Sequence, residues 1–229
     1  MPHPLPDNTL RGEAVFDLIQ EAHALLKPHG FPYAFCGGWA IDLFVGAQTR
    51  AHGDIDVLAY WPERGRVITV MQSLGFRVYE MFGGGMAREI FDVRDQVQSR
   101  RSIFCVLPGC KLVRLSDADQ SGVARVDFRP VGQTRLDFLE FLFNHISGTD
   151  LIYARNPAIR QPVQDAIRYH AGIPYLSPEH CLLYKASDPT RAGYQHDYDT
   201  AMARMNERQR QWLADSLRAM YPEGHVWLA

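Results

Sequence analysis

No sign of charge dominates this sequence: 24 Lys and Arg face 26 Asp and Glu over 229 residues, a formal net charge of −2. A strongly basic face of the kind that binds duplex DNA or RNA is therefore not signalled, and composition speaks against a nucleic-acid partner. It leaves a nucleotide open as a small ligand. No apolar run approaches the roughly 18 residues that a membrane span needs. The N-terminus MPHPLPDNTL lacks a charged segment followed by an apolar one, so no secretory leader is expected. Cysteine is scarce, and Cys36, Cys105, Cys110 and Cys181 form no C-x-x-C pair. Buried free thiols in a reducing, cytoplasmic setting are expected, rather than a disulfide framework or a structural zinc. Internal repeats and low-complexity tracts are absent too.

What is present is a mixed pattern. Apolar residues recur at three and four over residues 12–27, which predicts an amphipathic helix ended at Gly30. PYAFC reads as a short buried strand, GGWAIDLFVG as a helix opened by a Gly pair, and DIDVLAY as a strand. A helix with Pro62 in its first turn and Gly75 at its end follows, then the strand FRVYE. MFGGGM is a turn, and REIFDVRDQVQS suits a helix. SIFCVL, CKLVRL, VARVDFRP and TRLDFLEFLF look like four strands, and LIYAR like a returning one. After residue 160 the character changes. Residues 163–171, 178–187, 196–205 and 207–220 suit helices, with GIPYLSP as a loop. The sequence thus predicts an α+β chain: a core over residues 1–160 with a mixed β-sheet flanked by helices, then a mostly helical C-terminal part over 161–229.

The chemistry concentrates in residues 34–60. Asp54 and Asp56 stand two apart on a strand, so both side chains point to one face while Ile55 and Val57 take the other. Two carboxylates on one face repel each other unless a cation joins them. Hard cations such as Mg²⁺ take a few carboxylates together with substrate phosphates, and a third carboxylate from a neighbouring strand would complete a two-metal site. Gly37 and Gly38 lie between a strand and a helix, where exposed N–H groups and the helix start suit a phosphate. Alone, a D-x-D is an exposed strand face and a Gly pair is a tight turn. The order strand, Gly-Gly, helix, loop, D-x-D strand is the informative feature, and it suggests handling of a nucleoside triphosphate.

The segment GGWAIDLFVGAQTRAHGDIDV resembles the signature of the nucleotidyltransferase superfamily of the DNA polymerase β type. It is most similar to the aminoglycoside and lincosamide nucleotidyltransferase branch. Gly37, Gly38, Trp39, Asp42, Thr49, Arg50, His52, Asp54, Ile55 and Asp56 carry the match. The likeness is weaker over residues 80–130 and returns in GIPYLSPEHCLLYKA. It implies the nucleotidyltransferase fold and Mg²⁺, with two ions expected, held by Asp54 and Asp56 together with the triphosphate. The family's third carboxylate, a metal ligand or the general base toward the acceptor hydroxyl, falls on Asp137 in TRLDFLEF, with Asp127 in VARVDFRP as the competitor. Lys185 in LLYKA matches a lysine expected to reach the triphosphate, against a solvated helix lysine. Arg50 either neutralises phosphate charge or pairs with Asp42. His52 either bonds a phosphate or a carboxylate, or shapes the turn. Trp39 and Asp42 read as structural. The relatives' K-D-x-x-D element is only partly kept: Asp199 fits its last position, and Gln195 and His196 stand where K-D belongs.

The resemblance implies Mg²⁺-dependent transfer of a nucleoside monophosphate, with ATP the favoured donor, to a hydroxyl of a small-molecule acceptor of aminoglycoside or lincosamide kind. Pyrophosphate would be released, by a monomer or homodimer. Two rivals stand beside it: a non-catalytic nucleotide-binding protein, and an antitoxin-like protein acting on a protein partner.

Overall fold

The structure, a computed structural model, describes residues 16–95, 102–129 and 131–228. Helix α1 (Asp17–Leu26) buries Ile19, Ala22 and Leu26 at the spacing expected of an amphipathic stripe. Strand β1 (Tyr33–Phe35) runs directly into α2 (Gly37–Val45), which Gly46 closes. Strand β2 (Asp56–Tyr60), α3 (Arg64–Ser73), β3 (Arg77–Gly83) and β4 (Met86–Glu89) follow. Then come β5 (Ser102–Val106), β6 (Val113–Leu115), β7 (Val123–Phe128) and β8 (Phe138–Asn144). The short strands β9 (Ile146–Ser147), β10 (Asp150–Ile152) and β11 (Arg160–Pro162) form a small sheet of their own. The chain continues through α4 (Val163–Ala166), β12 (Ile167–His170) and β13 (Ile173–Leu176). It ends with α5 (Pro178–Lys185), α6 (Tyr194–Met202) and α7 (Glu207–Met220).

Ten strands form one mixed sheet in the order β12-β13-β1-β2-β8-β5-β3-β4-β7-β6. β1 runs parallel to β13 and β2 parallel to β8; the other neighbours are antiparallel. Ile55, Val57 and Ala59 of the acid strand, with Leu139, Phe141 and Phe143 of β8, belong to the main core with α1, α2 and α5. A second, smaller core under β3, β5 and β7 is built on Tyr79, Phe104 and Phe138. The fold is α+β, as expected.

Three elements differ from the sequence-based expectation. REIFDVRDQVQS begins in strand β4, and Val93–Asp95 is a single 3-10 turn; its residues 96–99 lie outside the described residues. The expected helix over 163–171 keeps one turn and then becomes the outer strand of the β12–β13 hairpin. GIPYLSP, expected as a loop, supplies β13, which pairs with β1. The main sheet therefore reaches to Leu176, past residue 160, and the helical part starts at Pro178. The first half of the helix expected over 12–27 starts among residues that are not described.

Candidate active site

The site forms where β1 turns into α2, over the starts of β2 and β8. Gly37 has φ of +66°, and a Cβ there would collide with the Asp56 carboxylate. A Cβ on Gly38 would collide with the His52 ring and the Arg50 guanidinium. Glycine at both positions lets the helix start lie against the acid strand. No side chain caps α2, so its first N–H groups are not consumed by a cap.

β2 and β8 are paired so that Asp56 lies beside Glu140 and Leu58 beside Leu142. Asp54, Asp56 and Glu140 all line one cavity of about 680 Å³. Burial, followed by the charges of Asp54 and Glu140, pushes the Asp56 carboxyl well above the usual carboxylate range. Burial and Asp54 push Glu140 up to about 7, against a hydrogen bond from Ser102 and the charge of Arg191. At Asp56 burial and the neighbouring acids outweigh the charges of Lys185 and Arg191, and at Glu140 they outweigh that of Arg191.

Asp137 is not part of it. It precedes β8, which starts at Phe138, and its N–H donates to the Arg135 carbonyl at 2.9 Å. It is buried, its carboxyl is bonded by the Cys110 thiol, and its carbonyl accepts from Leu107 N–H at 2.9 Å. Asp127 is exposed on β7, opposite Arg114. Glu140 thus holds the place in the sheet that sequence reasoning gave to Asp137. Its signal, an acid flanked by Leu139 and Phe141 in an apolar strand, was present in LEF but is shared with LDF.

The T-R-x-H residues are held by two buried carboxylates. Asp42 accepts Thr49 N–H at 3.0 Å and Thr49 Oγ1 at 2.7 Å, and its other oxygen bonds His52 Nε2. The Trp39 ring lies tilted against His52 with centres 4.4 Å apart, and its Nε1–H donates to the Asp54 carbonyl at 3.1 Å. Arg50 pairs with Asp197, not Asp42: Nε to Oδ1 is 2.7 Å and Nη2 to Oδ2 is 2.8 Å. Lys185 Nζ reaches the same Asp197 at 2.9 Å and lies 4.3 Å from the Tyr194 ring centre. Burial would raise the Asp197 carboxyl, but Arg50 and Lys185 hold it below the ordinary range. The expected Asp199 instead accepts from Gln195 at 2.8 Å and is exposed. Arg50, His52 and Lys185 all line the cavity with Gly38, Asp54 and Asp56, and Arg155 and Arg191 complete its basic wall. Sequence reasoning noted Arg191 but missed Arg155, Asp197 and Glu140. A smaller recess of about 260 Å³ adjoins at Gly37 and Asp56, between Leu58, Leu142, Tyr184 and Tyr194.

Among the described residues, no three His, Cys, Asp or Glu side chains stand close enough together to hold an ion between them. The fit to a divalent cation rests on donor chemistry: Asp54, Asp56 and Glu140 offer only hard oxygens, and their mutual repulsion is what such an ion relieves.

A profile of the family described as aminoglycoside-2''-adenylyltransferase matches residues 18–82, which include Gly37, Gly38, Arg50, His52, Asp54 and Asp56. Curated 2''-aminoglycoside nucleotidyltransferases from Escherichia coli and Klebsiella pneumoniae are each 37% identical over 75 residues, 33% of this chain. That match spans 42% of the relatives' own length. Among solved structures, antibiotic-resistance factor ANT(2'')-Ia superposes with a TM-score of 0.51 at 16% identity, over 95% of this chain and 96% of the other. Lincosamide antibiotic adenylyltransferase LnuA, bound to lincomycin, gives 0.53 at 14% identity, over 82% and 96%. In sequence over its first third the chain is similar to 2''-aminoglycoside nucleotidyltransferases, and over most of its length it shares the fold of ANT(2'')-Ia and LnuA.

Proposed function

We propose that this chain transfers a nucleoside monophosphate from a nucleoside triphosphate, ATP favoured, to a hydroxyl of a small-molecule acceptor. The observation that carries the reading is the gathering of Asp54, Asp56 and Glu140 along one cavity, against the uncapped start of α2 and a basic wall. The acceptor oxygen forms a bond to the α-phosphorus. The bridging bond between the α- and β-phosphates breaks, and pyrophosphate leaves with the electron pair. The hydroxyl proton passes to a carboxylate oxygen of Glu140, in the role first expected of Asp137.

Asp54, Asp56 and Glu140, drawn closer together than they stand here, would hold Mg²⁺, two ions being expected from the family, and the bound ion would supply charge stabilisation at phosphate oxygens. The chain's other residues bind and orient. The N–H groups at Gly37 and Gly38 meet a phosphate. Lys185 and Arg191 neutralise triphosphate charge, and Asp197 keeps Arg50 and Lys185 aimed at the cavity. Asp42 and Thr49 fix the loop that carries Arg50 and His52. Catalysis is then positioning plus fixed charge. The relatives' names give antibiotics as acceptors; for this chain the acceptor class proposed is a small hydroxyl compound.

The test is thermal shift with ATP, GTP, CTP and UTP, with and without Mg²⁺, on wild type and on Asp54→Ala/Asp56→Ala. A triphosphate at about a hundred times its Kd stabilises the fold by roughly 2.7 kcal/mol. The expected result is a Mg²⁺-dependent shift that the double variant loses. No shift with any triphosphate sinks the proposal. A shift without pyrophosphate release under any acceptor identifies a nucleotide-binding protein instead.

A further inference from the structure

The acids of the cavity are few and already used. Among the described residues, the carboxylates lining the two recesses around Asp56 are Asp54, Asp56 and Glu140. All three belong to the cation site of the proposed reaction. The same space is lined by five fixed cations: Arg50, Arg129, Arg155, Lys185 and Arg191. Behind the wall, Asp197 is shared between Arg50 and Lys185. Arg155 and Arg191 lie over the rings of Tyr184 and Tyr194 at 5.4 and 5.1 Å. Arg129 has no ion-pair partner among the described residues. An acceptor carrying several ammonium groups would find no free acid here and would stand beside like charge.

Part of the cavity lining is apolar. Leu112, Phe128, Phe138 and Leu142 line it next to Glu140. Phe128 is 49% exposed, yet its ring is fixed edge-on to Phe104 at 5.9 Å and to Phe138 at 6.0 Å. A large aromatic held rigid and open at a cleft is a platform for an apolar or aromatic group.

Resting on the nucleotidyl-transfer reading, we infer that the acceptor is an uncharged or anionic hydroxyl compound with an aromatic or apolar face, seated on Phe128 beside Arg129, and not a polyamine sugar. Phe128 and Arg129 are then the residues that set acceptor specificity, Phe128 by apolar contact and Arg129 by repelling ammonium groups.

Two probes separate the classes: 4-nitrophenyl glucoside, uncharged and aromatic, and kanamycin, a polyamine sugar. Binding of each is measured by titration calorimetry on the full chain with a non-hydrolysable ATP analogue and Mg²⁺. Kanamycin-driven pyrophosphate release is followed with ATP. Wild type, Phe128→Ala and Arg129→Glu are compared, with thermal melts reporting their folding. The expected result is that the glucoside binds at least tenfold more tightly than kanamycin, that Phe128→Ala loses at least tenfold in glucoside affinity, and that Arg129→Glu gains affinity for kanamycin. The inference is overturned if wild type binds kanamycin as tightly as the glucoside or turns it over, or if the glucoside fails to bind. It is also overturned if Phe128→Ala leaves glucoside affinity unchanged, or if Arg129→Glu gains no kanamycin affinity. Failure of the underlying reading shows separately, as absence of Mg²⁺-dependent ATP binding before any acceptor is added.

Discussion

Asp197 is the residue on which the basic wall depends. It is fully buried and holds Arg50 in a two-point bond while also meeting Lys185. Removing one member of a buried ion cluster leaves the others charged without compensation. Asp197→Ala is expected to destabilise the fold by about 3 kcal/mol, read from urea unfolding, and to weaken triphosphate binding. A variant with unchanged stability would mean that solvent satisfies both cations. His180 gives a pH prediction. It is fully buried, its Nδ1 lies 2.9 Å from Gln161 Oε1, and its Nε2 has no partner. Trp212 stacks on the ring, Tyr153 and Tyr184 flank it, and the nearby Glu179 carboxylate is tied to Gln161 and Gln209. Burial lowers the imidazole to about 3 from an ordinary 6.5. The unfolded chain therefore binds the extra proton first as pH drops below 6.5, so stability is full above that value and falls toward pH 3. The difference in unfolding free energy between wild type and His180→Asn should shrink over that window. A pH-independent difference would show that His180 does not titrate this way.

At the scale of elements, α2 is the most exacting. Gly37→Ala places a Cβ against the Asp56 carboxylate and holds a left-handed φ that costs about 1–2 kcal/mol for an L side chain. Lower melting temperature and loss of Mg²⁺-dependent ATP binding are expected together; retained binding would separate the Gly turn from the site. α7 is different. Asn206 accepts from Gln209 N–H at 3.0 Å, and Gln209 returns the bond to Asn206 N–H at 3.1 Å. Asn206→Ala should cost about 1 kcal/mol of stability and leave ATP affinity as it is.

These elements also show what could be read in the chain. The face of Asp54 and Asp56 follows from their spacing alone. The place of the partner acid does not, because Asp137 and Glu140 stand three apart in one apolar segment and only Glu140 falls inside β8. Only the register of β8 against β2 decides between them, and neither segment encodes that by itself. The β12–β13 hairpin was hidden for a similar reason. Its two-residue turn is Ala171-Gly172, both at positive φ, where Asn or Asp before the Gly would have announced it.

At the scale of the whole molecule, the sheet is closed by a late part of the chain. β13 pairs with β1, and α5 and α6 bring Lys185 and Asp197 to residues near position 50. A chain ended at residue 160 would lose the strand beside β1 and the counter-ion of Arg50, and would expose the apolar sheet edge. Such a fragment is expected to aggregate or stay unfolded by circular dichroism. A cooperative melt would establish residues 1–160 as an independent unit.

The shared carboxylate of Asp197 also sets an order of events. During synthesis the Gly pair and both strand aspartates leave the ribosome long before residue 197 does. Until then Arg50 and Lys185 have no counter-charge to aim them, so a nascent chain holding the whole matched segment still has no competent pocket. In the proposed reaction, competence arrives only with the turn of α6 that carries Asp197.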